Sequence, residues 1–326
     1  MKQFSRSLIE RLLLYVGLKR TLVHKRFLQP LIELLLSLVG LQQTLAYVST
    51  CKAYQQERKW LIEKHSIVDY KAAEHFYKGI SIEYRSATVS LLDELQTLPP
   101  MLTHLTFGDD FNRPLYNVKL PSTLTHLTFG WSFNRPLINV TLPPTLTQLT
   151  FSRCFNQPLD NVTLPSTLTY LTFGHHFNQP LDNVTLPLTL TRLTFGRWFD
   201  QPLENMTLPP TLTHLTFDYC FDQPLENVKL PLSLTHLTFG RWFNQSLDNV
   251  TLPPTLQHLT FDVSFNQSLD NVTLPPTLTH LTFGCRFDQS LEKLKLLPQL
   301  TQLTLSEHYY RSLNCVPSHT VVRRKV

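Results

Sequence analysis

The chain has 326 residues, 42% of them hydrophobic and 16% charged, and a net charge of +5. Its nine glycines form no phosphate-cradling loop, and no HExxH or GxSxG motif occurs, so the composition argues against an enzyme. Five cysteines, an odd number at no metal-like spacing, argue against a disulfide framework and for reduced thiols in an intracellular, cytoplasmic setting.

The charge is unevenly placed. Fourteen Lys and Arg against seven Asp and Glu fall before residue 91, a net of +7, leaving 15 against 17, a net of −2, for the rest. Residues 1–26 hold Lys2, Arg6, Arg11, Lys19, Arg20, Lys25 and Arg26, opposed by Glu10 alone. This predicts a basic amino-terminal helix with a solvated face, in preference to a surface for nucleic acid or acidic membrane. Glu10 and Arg11 break the early apolar stretch and no small-residue cleavage site comes after it, which argues against a signal peptide.

Residues 27–56 are strongly apolar, and between Arg26 and Lys52 the single charge is Glu33. The run is long enough for a membrane span. Yet Pro30, Glu33, Gly40, Gln42 and Gln43 divide it into two amphipathic stretches, 31–39 and 41–48. Two short packed helices are expected there, with no membrane span. Residues 57–97 read as a linker and cap, anchored with the preceding Tyr54 by Trp60, Ile62 and Phe76. Ile80, Ile82 and Tyr84 then alternate like a strand that shields the first unit of the array beginning at Leu98.

From Leu98 to residue 308 the chain repeats every 22 residues, with Phe111, Phe133, Phe155, Phe177, Phe199, Phe221, Phe243, Phe265 and Phe287 in one column. The unit reads LPPTLTHLTFGxxFNQPLDNVT. A unit this short buries its apolar side chains only against its neighbours, so the array is a stacked solenoid. Leu124, Leu127 and Phe129 mark a short strand, and its copies, about 4.8 Å apart, make a parallel sheet. Phe133, Leu137, Val140 and Leu142 turn inward behind it. Pro136 and the pair Pro143 and Pro144 recur in most units, so the return path is extended or turn-like with few helices. Asn117, Asn139, Asn161, Asn183, Asn205, Asn227, Asn249 and Asn271 form a further column, read as a ladder of amides that satisfies buried backbone groups. Six of the eight match NxT, which the repeat explains better than glycosylation does.

Positions that change from unit to unit are the candidates for specificity. One column lies on the strands: His104, His126, Gln148, Tyr170, Arg192, His214, His236, His258, His280 and Gln302. Four of these, His214, His236, His258 and His280, fall on adjacent strands, but no carboxylate or cysteine column stands beside them, so no metal is expected. The second column is the dipeptide before each repeat phenylalanine. It supplies Trp131, His176, Arg197, Trp198, Tyr219, Arg241 and Trp242, residue types that anchor protein interfaces, and reads as a partner-binding edge. Residues 309–326 form a carboxyl-terminal cap and tail. Leu303, Leu305, Tyr309 and Tyr310 are expected to close the stack, and Arg323, Arg324 and Lys325 to be disordered.

The phrase FNQPLDNVT with its LTHLTFG strand resembles the FNIP repeat, a relative of leucine-rich repeats abundant in social amoebae and giant DNA viruses. The resemblance implies a leucine-rich-repeat-like solenoid with a parallel β-sheet and few helices, preceded by a small α-helical module. In giant viruses such arrays commonly follow an F-box, and Pro30, Glu33, Leu34, Leu35, Ser37, Leu38, Leu41, Leu45, Val48, Ser49 and Lys52 are similar to its pattern. Gln29 before the proline, one extra residue before Glu33 and the missing aspartate before the second helix depart from it. The resemblance implies a substrate adaptor of an SCF-type ubiquitin ligase. Pro30, Leu34, Leu35, Leu38 and Leu41 would contact the Skp adaptor subunit and the repeats would hold a target protein. No cofactor is implied. The competing reading is a non-catalytic binding scaffold whose first helices only cap the solenoid.

Overall fold

A computed structural model of the chain describes residues 86–89, 95, 98 and 101–325. The expected helices at 1–56, the anchors Tyr54, Trp60, Ile62 and Phe76, and the strand at Ile80, Ile82 and Tyr84 lie outside the described residues. The chain divides into two units, 1–82 and 83–326, and the second is the solenoid.

Among the described residues twelve strands form one sheet in sequence order, every neighbouring pair parallel. They are β1 (Ser86–Val89), β2 (His104–Phe107), β3 (His126–Thr128), β4 (Gln148–Thr150), β5 (Tyr170–Thr172) and β6 (Arg192–Thr194). The rest are β7 (His214–Thr216), β8 (His236–Thr238), β9 (His258–Thr260), β10 (His280–Thr282), β11 (Gln302–Ser306) and β12 (Val321–Lys325). Among the described residues there is no α-helix, and a short 3-10 helix, Glu292–Leu296, is the longest helical turn.

Three turns bend each unit into a coil, and the sequence sets all three. In the third coil Phe133 N–H donates to Gly130 O at 3.2 Å, Val140 N–H to Leu137 O at 3.0 Å and Leu146 N–H to Pro143 O at 3.1 Å. Pro144 fixes its φ inside the last turn and has no amide hydrogen to strand there. Asn139 takes the second turn at φ 62°, as do Asn117 at 67° and Asn161 at 65°, because asparagine tolerates the left-handed region. Short strands follow from this corner spacing.

The column of these asparagines is exposed in the turns, so it is not the buried ladder expected of it. The ladder belongs instead to the residue after each repeat phenylalanine. Oδ1 of Asn112, Asn134, Asn156 and Asn178 accepts the backbone N–H of Asn134, Asn156, Asn178 and Asp200 in turn, at 2.9–3.0 Å. It continues from Asp200 to Asp222 at 3.0 Å and from Asp222 to Asn244, Asn266 and Asp288 at 2.8 Å. Threonine hydroxyls supply a second set of links between coils. Thr145 Oγ1 donates to Leu124 O at 2.7 Å and Thr147 Oγ1 to Thr125 O at 3.0 Å, and equivalent bonds recur along the array.

Two phenylalanine columns fill the interior. Phe129 and Phe133 stack within a coil at 4.2 Å, and Phe133 lies 6.1 Å from Phe155 in the next. Tyr309 ends the second column 6.0 Å from Phe287, and its hydroxyl donates to Gln289 O at 2.9 Å. Burial of each ring contributes about 1.5–3 kcal/mol, which only continuous stacking can realise. Spacing widens from 4.1 Å between imidazoles on the outer face of the sheet, as at His214 and His236, to 6.1 Å between the deeper phenylalanines.

The carboxyl terminus departs from expectation. Residues 323–325 are not a disordered tail but part of β12, paired with β11. The Arg324 guanidinium donates to Ser306 O and Tyr309 O, both at 2.9 Å, and so ties the last strand over the coil that Tyr309 closes. Leu303, Leu305 and Tyr309 are buried there, whereas Tyr310 is exposed and closes nothing.

Candidate protein-interaction surface

The turn after each strand carries the variable dipeptide, and backbone bonds hold successive turns in register. Cys154 N–H donates to Trp131 O, Trp198 N–H to His175 O, Cys220 N–H to Arg197 O and Trp242 N–H to Tyr219 O, at 2.8–3.0 Å. The backbone at each of these positions therefore sits about 4.8 Å along the axis from its counterpart. The scaffold dictates the spacing, and the sequence decides only which groups occupy it.

Trp131, Trp198 and Trp242 are 49%, 53% and 51% exposed on this edge. His176, Arg197 and Arg241 are exposed and Tyr219 is half-buried. Four of the expected residues come together: Arg197 stands 4.5 Å and Arg241 5.2 Å from the Tyr219 ring, and Trp242 lies 5.5 Å from it at a tilt. Trp131 is set apart from these and instead carries the Arg153 guanidinium at 4.4 Å. Such cation–π contacts contribute about 0.5–1 kcal/mol each at exposed sites, which favours the guanidinium groups over the rings without fixing them there. Beside Trp242 a shallow cleft is lined by Tyr219, Asp222, Arg241, Trp242, Val263, Ser264 and Arg286. Arg153 and Arg286 complete the edge. Arg153 is legible as the first arginine of a 44-residue spacing, 153, 197 and 241, whereas Arg286 is one residue out of that spacing.

Cys220, beside this group, is buried and its thiol pKa is raised by desolvation first and by Asp200 second. Cys154, Cys220, Cys285 and Cys315 are free thiols.

The histidines form a separate surface on the strands. His214, His236, His258 and His280 are half-buried and stack at 4.1–4.2 Å with planes within 17° of parallel. Thr213, Thr235 and Thr279 hydroxyls lie 2.8–2.9 Å from Nδ1 of the following histidine. Each of those hydroxyls already donates its one hydrogen to a carbonyl of the preceding coil. With the hydroxyl hydrogens so placed, Nδ1 of His214, His236 and His280 is the donor, and these neutral rings carry their free lone pair on Nε2. Desolvation, then the neighbouring cations and histidines, lowers the His214 and His236 pKa, and His258 falls to about 4. Near-parallel rings aim near-parallel lone pairs and converge on no point. Among the described residues no group of three His, Cys, Asp or Glu is placed to hold a metal ion. No helix among them is long and apolar enough to cross a membrane.

The FNIP repeat matches residues 94–132, 133–176, 177–220, 221–264 and 265–308, two units at a time for most of the array. The chain belongs to the FNIP repeat family. It is 39% identical to CroV588, described as a novel circular LRR protein, over 74% of this chain and 42% of that one, with a TM-score of 0.49. The FNIP chain thus spans less than half the length of that relative. It is also similar to an internalin, InlF, from Listeria monocytogenes, with 18% identity over 78% of this chain and 76% of that one and a TM-score of 0.50, a likeness of fold. No curated protein matches it in sequence. An LRR-like repeat scaffold with a uniform interior and a variable edge is an architecture for protein–protein interaction.

The Skp-contact candidates Pro30, Leu34, Leu35, Leu38 and Leu41 lie outside the described residues.

Proposed function

We propose that this FNIP-repeat protein is a substrate-recognition adaptor of an SCF-type ubiquitin ligase. Residues 27–56 engage the Skp subunit through Pro30, Leu34, Leu35, Leu38 and Leu41, and the solenoid holds a target protein by its turn edge. Ubiquitin transfer is then promoted by proximity, which needs no catalytic group in this chain. The observation that carries the reading is the cluster of Arg197, Tyr219, Arg241 and Trp242 on the turn edge of a scaffold whose interior columns repeat. Aromatic and arginine side chains are the usual anchors of protein interfaces, and nothing in the interior packing of the coil requires them there.

Affinity capture of the Skp subunit tests the ligase link. Wild-type protein is expected to retain Skp, and a Leu38→Asp, Leu41→Asp double variant with an unchanged circular dichroism spectrum to lose it. Folded wild-type protein that captures no Skp reduces the function to that of a binding scaffold without a ligase link.

A further inference from the structure

The turn edge repeats a charge pattern at twice the coil period. Arg153, Arg197 and Arg241 occupy one column on every second coil, and Arg286, one residue displaced, falls two coils beyond Arg241. All four are exposed. At about 4.8 Å per coil, successive guanidinium groups stand about 10 Å apart. The coils between them present His175, Tyr219 and Val263 in the same column, which are flat or apolar.

None of these cations makes an ion pair with a described residue, although Asp222 lines the same cleft as Arg241 and Arg286. Among the described residues the ion pairs are Lys295 with Glu292, His308 with Glu307 and Arg311 with Asp288, and none involves Arg153, Arg197, Arg241 or Arg286. Asp218 and Asp262 are exposed one residue before Tyr219 and Val263, on the intervening coils. From Arg197 to Arg286 the sign therefore alternates, and a continuous acidic run would meet repulsion at the coils of Asp218 and Asp262.

We infer that this edge docks an extended acidic segment in the polyproline II conformation, with a carboxylate at every third residue. That helix has three residues per turn and rises about 3.1 Å per residue, so its third-residue carboxylates lie on one side about 9 Å apart. Four of them match the four arginines over six coil spacings. The two intervening residues of each turn, prolines or small apolar side chains, pack on His175, Tyr219 and Val263. Pre-ordered polyproline segments also lose little entropy on docking, which suits a flat edge with only a shallow cleft. The inference rests on the turn edge being the partner-binding edge, and is independent of the Skp contact.

The test is fluorescence anisotropy of full-length protein with a labelled peptide of four Glu-Pro-Pro triplets. A peptide of equal composition with its four glutamates contiguous and a short oligothymidylate of matching charge are the comparators. The triplet peptide is expected to bind about tenfold more tightly than either, and each arginine removed to weaken it about tenfold, as loss of a charge-assisted contact implies. The variants are Arg197→Gln with Arg241→Gln, and Arg197→Glu with Arg241→Glu, with unchanged circular dichroism as the control for folding. Equal binding of the contiguous peptide or of the oligonucleotide, undiminished binding by both variants, or no binding at all would overturn it. Skp capture by the same variants is expected to be intact. Loss of Skp capture in wild type with peptide binding retained would overturn the ligase link alone.

Discussion

The backbone N–H of Asp200 donates to Asn178 Oδ1 at 2.9 Å, across the boundary between two coils, and the same oxygen accepts Gln201 Nε2 at 3.0 Å. One acceptor thus satisfies a backbone donor and a side-chain donor of the next coil. The requirement is for an acceptor oxygen alone, since Asp200 and Asp222 do the same work from the same column. Asn178→Asp is expected to change stability by less than about 0.5 kcal/mol. Asn178→Ala leaves both donors without a partner and is expected to cost about 1–3 kcal/mol, read by urea unfolding.

The phase of this ladder shows where the sequence can be read and where it cannot. The 22-residue period fixes every column, and the columns of Phe133, Leu137, Val140 and Leu142 are recognisably interior because their residue types are apolar. Two columns contain asparagine, and period alone does not say which faces inward. The signal lies in the substitutions: the column after the phenylalanines admits aspartate at Asp200, Asp222 and Asp288, which preserves an acceptor. The other column holds turn asparagines such as Asn139, chosen for backbone conformation.

The ends are less legible because the register breaks there. From Ser86 to its partner His104 is 18 residues, and from Gln302 to Val321 is 19, against 22 within the array. Neither terminal strand carries the repeated phrase, so β12 reads as a basic tail. On the turn edge, the aromatic and arginine anchors are recognisable by type. Their grouping around Tyr219 is not, because side-chain contacts across coils depend on which neighbours lean together.

Gly240 lies under the preceding coil. A Cβ there would stand 1.4 Å from Asp218 O, so backbone must move to admit one. Gly240→Ala is expected to destabilise the protein by about 1–3 kcal/mol through that overlap. Thermal unfolding checks it, with Asp218→Gly, which relieves no such contact, as the near-neutral comparison.

Arg324 closes the stack with two bonds to carbonyls of the last coil. Arg324→Ala is expected to cost about 1–3 kcal/mol, and Arg324→Lys to restore only part of it, because both bonds leave the single nitrogen Nη1 and the shorter lysine side chain carries its ammonium less far. Denaturant titrations of the two variants make the comparison.

The histidine stack makes stability fall in acid. Burial, together with neighbouring charge, lowers the pKa of His126, His214, His236 and His258, the last to about 4. A lowered folded pKa means that the unfolded chain binds protons more readily once pH drops below its own value of about 6.5. Stability is thus full above about pH 6.5 and declines from there toward pH 4. Arg192 and His104, also facing the stacks, add to the lowering. The double variant His236→Gln with His258→Gln places in the stack the residue that Gln148 and Gln302 already supply to the same column. It is expected to flatten the melting temperature between about pH 7 and 4.5. An unchanged slope would contradict the assignment.

Hydrogen exchange at the turn amides of Cys154, His176, Trp198, Cys220 and Trp242 tests most directly whether the fold itself sets the spacing of the binding edge. Each is bonded to a carbonyl of the preceding turn, so all five are expected to exchange orders of magnitude more slowly than free peptide and in step with the strand amides. Exchange at the free-peptide rate while the strands stay protected would mean that the edge has no built-in period, and the account of partner selection would fail.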